Sequence, residues 1–253
     1  MRSIGTVARL VAAAMIGALP LAASPAGAAG NVVVQYNAAA DLEVVDAPGN
    51  ATNLRVTGYD ARFTVESSTP VTAGRDCQTY RTTNAKRPFG ARCDYRPRPG
   101  DTPGNTAWQA LVLAGDGDDR VLFEVARGGI VAGQQGNNVI DVYGGLTLNV
   151  VALGDWVGDN AGDGNDVVRS PLRSANLQGG GGDDTIEGSD GPDALLGNGG
   201  NDTIRARAGA DVIDSRDGRA DRLVNCGNDR ANDAVAFDPS DVMRDCTDAD
   251  LFA

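Results

Sequence analysis

From Gly179 to Asp214 the chain repeats itself with a nonapeptide period, and this period constrains its fold more than any other feature. Gly179 to Glu187 reads GGGGDDTIE and fits G-G-x-G-x-D-x-U-x, with U an apolar residue, at every specified position. Gly188 to Leu196 (GSDGPDALL), Gly197 to Arg205 (GNGGNDTIR) and Ala206 to Asp214 (ARAGADVID) follow without a gap. Aspartate recurs at 184, 193, 202 and 211, and an aliphatic residue at 186, 195, 204 and 213. Each unit is a bend followed by a strand long enough to turn one apolar side chain inward. One buried side chain cannot hold a unit together, so neighbours must stack to share a core. Ile186, Leu195, Ile204 and Ile213 are read as that core.

The register continues upstream with lower fidelity. Ala114 to Leu122 (AGDGDDRVL) and Ala161 to Arg169 (AGDGNDVVR) fit, and Gly133 to Asp141 (GQQGNNVID) fits with Asn138 in the aspartate position. Leu177 keeps the apolar position, although its turn around Arg173 to Ala175 has lost glycine and aspartate. The earlier apolar steps, from Val121 to Ile140 and from Ile140 to Val168, are near-multiples of the same period. Downstream, Asp221-Arg222-Leu223 and Asp233-Ala234-Val235 keep the D-x-U step. The reading is one solenoid over 111–214, a C-terminal cap over 215–253, and an N-terminal β segment over 30–110. That segment is either a set of irregular first coils or a small separate β-domain. Strands are predicted at Asn31 to Tyr36, Leu42 to Val45, Asn53 to Thr57 and Arg62 to Glu66, separated by turns such as Pro48-Gly49-Asn50. Residues 84–106, rich in Pro, Gly and Arg, read as a loop.

The repeating residue types point to metal chemistry. Glycines let the chain bend sharply, including to positive φ, so that several carbonyls aim at one point, and aspartate adds charge. Six to eight hard oxygens at about 2.3–2.6 Å suit calcium. The formal net charge is −12, and the acidity is concentrated in the repeats. This excludes nucleic acid and an anionic membrane surface as natural partners and leaves divalent cations as counter-charge. Near the C-terminus, Asp229, Asp233, Asp238 and Asp241 read as solvated carboxylates in preference to a second calcium or ligand site. Protonation below about pH 4 is expected to mimic removal of the ion.

The N-terminal stretch 1–29 carries Arg2, Arg9, an apolar run from Leu10 to Ala23 and small residues ending Ala26-Gly27-Ala28, the pattern of a secretory signal cleaved near Ala28. The run is short for a membrane span, so the mature chain is expected outside the cell. In that setting the four cysteines favour the sequence-local pairs Cys77–Cys93 and Cys226–Cys246 among three connectivities. Zinc is opposed by the lack of any histidine and of C-x-x-C spacing. The missing histidine also removes Ser-His-Asp and H-E-x-x-H chemistry, and the chain is read as not an enzyme.

The repeats resemble the hemolysin-type, or RTX, calcium-binding repeats, strongly over 179–214 and more loosely over 111–253. The resemblance implies an all-β, right-handed parallel β-roll with two nonapeptides per turn, and calcium between loops that stand two repeats apart. Carried onto this chain, Asp166 pairs with Asp184, Asp184 with Asp202, and Asp193 with Asp211. Carbonyls near Gly180, Gly182, Gly191, Gly200 and Gly209 complete the cages. Ser189, Asn198 and Arg207 replace the second glycine, and Ala175 leaves Asp193 without a partner in the preceding coil, so two or three good sites are expected. In-register pairs Thr185 with Thr203 and Glu187 with Arg205 agree with the roll. The resemblance further implies that Cys226–Cys246 clips the terminal cap.

Two functional classes follow. The first is a secreted, calcium-stabilised structural or adhesive module presenting a surface to an extracellular polysaccharide or protein. The alternative is a calcium-dependent polysaccharide-active enzyme or lectin-like binder, with Trp108, Trp156 and Tyr143 as its aromatic platform.

Overall fold

The computed structural model describes residues 31–36, 42–46, 51–59, 62–74, 76–94, 110–125, 129–143, 150–153, 164–172, 174–227, 233–247 and 251–252. The leader, its cleavage point, the Pro48-Gly49-Asn50 turn, Trp108, Trp156 and Asp229 lie outside them. The strands are β1 (Val32–Tyr36), β2 (Leu42–Val45), β3 (Asn53–Tyr59), β4 (Arg62–Ser67), β5 (Val71–Ala73), β6 (Cys77–Arg81), β7 (Phe89–Asp94), β8 (Ala110–Leu113), β9 (Arg120–Val125), β10 (Gly129–Ala132) and β11 (Val139–Val142). They continue as β12 (Val150–Leu153), β13 (Val167–Arg169), β14 (Asn176–Gly181), β15 (Thr185–Glu187), β16 (Ala194–Gly199), β17 (Thr203–Arg205), β18 (Val212–Asp214), β19 (Leu223–Asn225), β20 (Ala234–Ala236), β21 (Met243–Arg244) and β22 (Leu251–Phe252). Among the described residues there is no helix, and so none long and apolar enough to cross a membrane.

From β8 onward, successive strands alternate between two sheets, so each coil gives one strand to each. One sheet runs β22-β20-β18-β16-β14-β12-β10-β8-β2-β1-β5 and the other β21-β19-β17-β15-β13-β11-β9-β3-β4-β7-β6. Pairing is parallel throughout the coils. The nonapeptides set the register: Leu177, Leu195 and Ile213, each two repeats from the next, are aligned in one sheet, as are Val168, Ile186 and Ile204 in the other. Together with Val112, Val131, Val235, Val121, Ile140 and Val224 these side chains are fully buried in one continuous core. Each contributes roughly 1.5–3 kcal/mol by burial.

The coils approach closely because of one glycine column. Gly182 and Gly200, at the fourth position of their repeats, have φ of 115° and 147°. A Cβ on Gly200 would lie 1.8 Å from the Gly182 carbonyl oxygen, and one on Gly182 would lie 2.1 Å from that of Gly164. Any side chain here would force the stack apart.

The N-terminal strands extend both sheets. β2 pairs in parallel with β8 and β3 with β9, while β1–β2 and β3–β4–β7–β6 are antiparallel. Residues 89–94, expected in a loop, form a strand. Ala91 and Cys93 face inward while Arg92 and Asp94 face out, an alternation that the surrounding Pro, Gly and Arg composition conceals. Cys93 sits directly opposite Cys77 and is bonded to it, and Cys226 is bonded to Cys246. Both expected pairings are present.

Three details differ from the sequence reading. The long step from Ile140 to Val168, a near-multiple of the period, is a single coil, since β11 pairs directly with β13, so its length beyond two repeats is an insertion and not a further repeat. After Asp221 the inward residue is Val224, not Leu223, because the Arg222 and Leu223 amides both donate to the Asp202 carbonyl and bulge the strand. Thr185 and Thr203 pair as expected and Glu187 is in register with Arg205, but its carboxylate binds the Arg207 guanidinium.

Candidate metal centre

The turns entering the second sheet carry the aspartate column along one edge of the stack. Each aspartate uses Oδ1 to accept the backbone N–H of the equivalent residue one coil earlier. The Asp166 N–H donates to Asp184 (2.7 Å), the Asp184 N–H to Asp202 (2.9 Å) and the Asp202 N–H to Asp221 (2.8 Å). The column continues past the clean repeats. Thr52 donates to Asp119, Asp119 to Asn138, Asn138 to Asp166, and Asp221 to Asp241. On the opposite edge Ala175 donates to Asp193, Asp193 to Asp211 and Asp211 to Asp233. Alanine at 175 thus keeps its rung through its backbone.

A second ladder runs beside the first with the donor direction reversed. The N–H of Asn137 donates to Asp118, that of Asn165 to Asn137, that of Asp183 to Asn165 and that of Asn201 to Asp183, at 2.7–3.0 Å. These side chains are exposed, and no two aspartates are neighbours in the ladder, which avoids adjacent like charges. The two ladders fix the spacing of successive turns on this edge.

With Oδ1 engaged, the other oxygen decides the chemistry. Oδ2 of Asp119, Asp202 and Asp221 is buried with no hydrogen-bond partner. Burial pushes the carboxyl of Asp202 up to about 6 and that of Asp221 up to about 7. The backbone bond from the preceding rung opposes this, and neighbouring carboxylates add to it. Asp119 is pushed up to about 8, again first by burial. A buried anionic oxygen lacking a donor is expensive, and a cation is its natural complement. Among the described residues no three acidic or cysteine side chains converge on one point, so backbone carbonyls must supply the remaining oxygens.

Asn138 shows where those carbonyls are. Its Oδ1 keeps the rung, while Nδ2 donates to the carbonyls of Gln134 and Gly136, both at 3.2 Å. These stand at the second and fourth positions of its turn. A positively polarised NH2 therefore sits between the carbonyls that the repeat gathers around its sixth position. Where aspartate replaces it, negative oxygen meets negative oxygen unless a cation intervenes.

The family model of the RTX calcium-binding nonapeptide repeat, in four copies, matches residues 178–213. No curated protein and no solved structure matches the chain. Residues 178–213 are RTX calcium-binding repeats. The RTX repeats bind Ca2+, and their glycines divide by turn. Gly180, Gly182, Gly200 and Gly209 all have positive φ. Asn198 and Arg207, in place of the second glycine, adopt φ of 65° and 76° and keep the bend. The turn of Gly191 and Asp193 is built differently: neither Ser189 nor Gly191 has positive φ, and Ser189 donates from N–H and Oγ to Asp193 Oδ2 at 2.7 and 3.0 Å.

Some rungs lie outside the RTX match. Asp233 and Asp241 read as solvated, yet Asp233 is buried and accepts the Asp211 N–H. Asp241 accepts from the Asp221 N–H, the Ser215 hydroxyl and the Asp238 N–H. Asp238 accepts the N–H groups of Asp217 and Gly218, which hold its carboxyl below the usual range. Asp221 and Asp233 keep the D-x-U step at spacings longer than the nonapeptide, and stacking returns them, with Asp241, to the two columns.

Proposed function

We propose that the protein is an exported structural or adhesive module, without catalysis, whose right-handed β-roll is folded and stiffened by calcium outside the cell. Right-handedness agrees with the strong preference of parallel strand crossovers, and the segment from Ser215, clipped by Cys226–Cys246, serves as its terminal cap. Calcium sits between successive turns, held by Asp166 with Asp184 and by Asp184 with Asp202, with carbonyls near Gly180, Gly182 and Gly200. On the other edge Asp211 and the Gly209 carbonyl hold it together with Asp193 and Gly191. Asp193, already satisfied by Ser189, is the weakest ligand of the set.

The observation that carries this reading is Asp202: fully buried, ionisable, and with one oxygen left without a donor. At extracellular-type dissociation constants of about 10⁻⁴–10⁻³ M, millimolar calcium adds on the order of 1 kcal/mol per independent site. Calorimetric titration of calcium into the stripped protein, with far-ultraviolet circular dichroism before and after, tests it. Asp202→Ala is expected to lower both the stoichiometry and the calcium-dependent rise in Tm. An unchanged titration in that variant sinks the ligand assignment.

A further inference from the structure

In the repeat turns the first residue is small because the sixth residue's carboxylate fills the space beside it. A Cβ on Gly179 would lie 2.3 Å from Asp184 Oδ2, and one on Gly197 would lie 2.5 Å from Asp202 Oδ2. At the seam between the N-terminal strands and the first coil this arrangement is exchanged. Val45 pairs with Leu113 and Asn53 with Arg120, so Asp46 aligns with Ala114 at the first position of the turn and Thr52 aligns with Asp119 at the sixth. The carboxylate now comes from the first position and the hydroxyl from the sixth. Thr52 Oγ1 donates to Asp46 Oδ2, so the carboxylate reaches the same place from the other end of the turn.

Thr52 also joins the two acids, because its N–H donates to Asp119 Oδ1 at 2.6 Å. All three residues are at least nine-tenths buried, and Asp119 Oδ2 has no hydrogen-bond partner. Gly115 and Gly117, in the turn that ends at Asp119, have φ of 94° and 140°, the bend that aims carbonyls inward elsewhere in the stack. We propose that Asp46, Thr52 and Asp119 form a further calcium site, outside the RTX repeats, that fastens the N-terminal strands to the first coil. Two buried carboxylates and a hydroxyl are the hard oxygens such an ion takes. Repulsion from Asp46 adds to burial in raising the Asp119 carboxyl. The turn carries no D-x-U signature, since its acid stands at the wrong end.

This inference rests on the calcium reading of the other turns, and calorimetry on the full chain separates the two. Asp46→Asn and Asp202→Asn are each expected to bind one ion fewer than the unaltered protein. If Asp202→Asn loses an ion and Asp46→Asn does not, the seam site is overturned. If neither loses an ion, the calcium reading itself fails. Hydrogen exchange of the unaltered protein covers the case in which Asp46→Asn does not fold. Calcium is expected to slow exchange at the Thr52 and Arg120 amides at least tenfold relative to EDTA, and unchanged rates there overturn the proposal.

Discussion

Asn138 and Asp202 occupy equivalent positions and differ by one amide, and under the proposed ligand assignment that amide decides whether a turn needs an ion. Asn138 carries its own donor to the Gln134 and Gly136 carbonyls, whereas Asp202 presents only lone pairs. Asn138→Asp therefore trades two hydrogen bonds for a repulsion, which costs about 1–3 kcal/mol in the calcium-free protein. The same change builds a new ion site. The expected outcome is a lower Tm in EDTA together with a calcium stoichiometry raised by one. A lower Tm with unchanged stoichiometry would mean that the carbonyls cannot turn toward a cation, and the inference drawn from Asn138 would fall.

The short strands of the coils bury at most three side chains each and cannot define their own ends, so the ends of the stack rest on other devices. At the N-terminal end the antiparallel strands β3, β4, β7 and β6 close one sheet, and Cys77–Cys93 joins the outer two. At the other end β21 is shorter still, and Cys226–Cys246 ties its coil to that of β19. Closing a loop of this size contributes about 3 kcal/mol in the chain-entropy account. Cys226→Ser with Cys246→Ser is expected to raise hydrogen exchange in β19–β22 first and to leave β13–β17 protected in calcium. Uniform loss of protection along the stack would show that the coils unfold as one unit and do not fray from that end.

Stacked buried carboxylates give the calcium-free roll a pH response of its own. From the sequence, protonation below about pH 4 is expected to mimic removal of calcium. Burial raises the carboxyls of Asp202, Asp221 and Asp119 to about 6, 7 and 8 from an ordinary 3.8, so the folded state favours their neutral forms. Their contribution to stability is fully present below about pH 4 and is lost as pH rises through about 6–8. In EDTA the protein is expected to melt at a higher temperature at pH 5 than at pH 8. Calcium is expected to remove the difference by stabilising the fold at pH 8, where the proposed ligands are charged. Thermal melts at the two pH values, with and without calcium, check this, and a higher Tm at pH 8 in EDTA would contradict it.

The nonapeptide period alone dictated the parallel coils, the inward row Leu177, Leu195 and Ile213, and the RTX turns, because a repeat records its geometry locally and each unit meets only its neighbours. The local spacing of the cysteines likewise indicated both disulfides. What lay beyond the period required contacts between distant segments. β7 was hidden because its alternation is carried by Ala91, Cys93, Arg92 and Asp94 and becomes decisive only against β4 and β6. Asp221 and Asp233 were legible as a stretched D-x-U step, but that Asp233 and Asp241 are rungs of the aspartate columns and not solvated carboxylates follows only from stacking. Asp46 stands at the opposite end of its turn from every repeat aspartate. Its meeting with Asp119, far along the sequence, follows from the pairing of β2 with β8 and of β3 with β9, which no local pattern encodes.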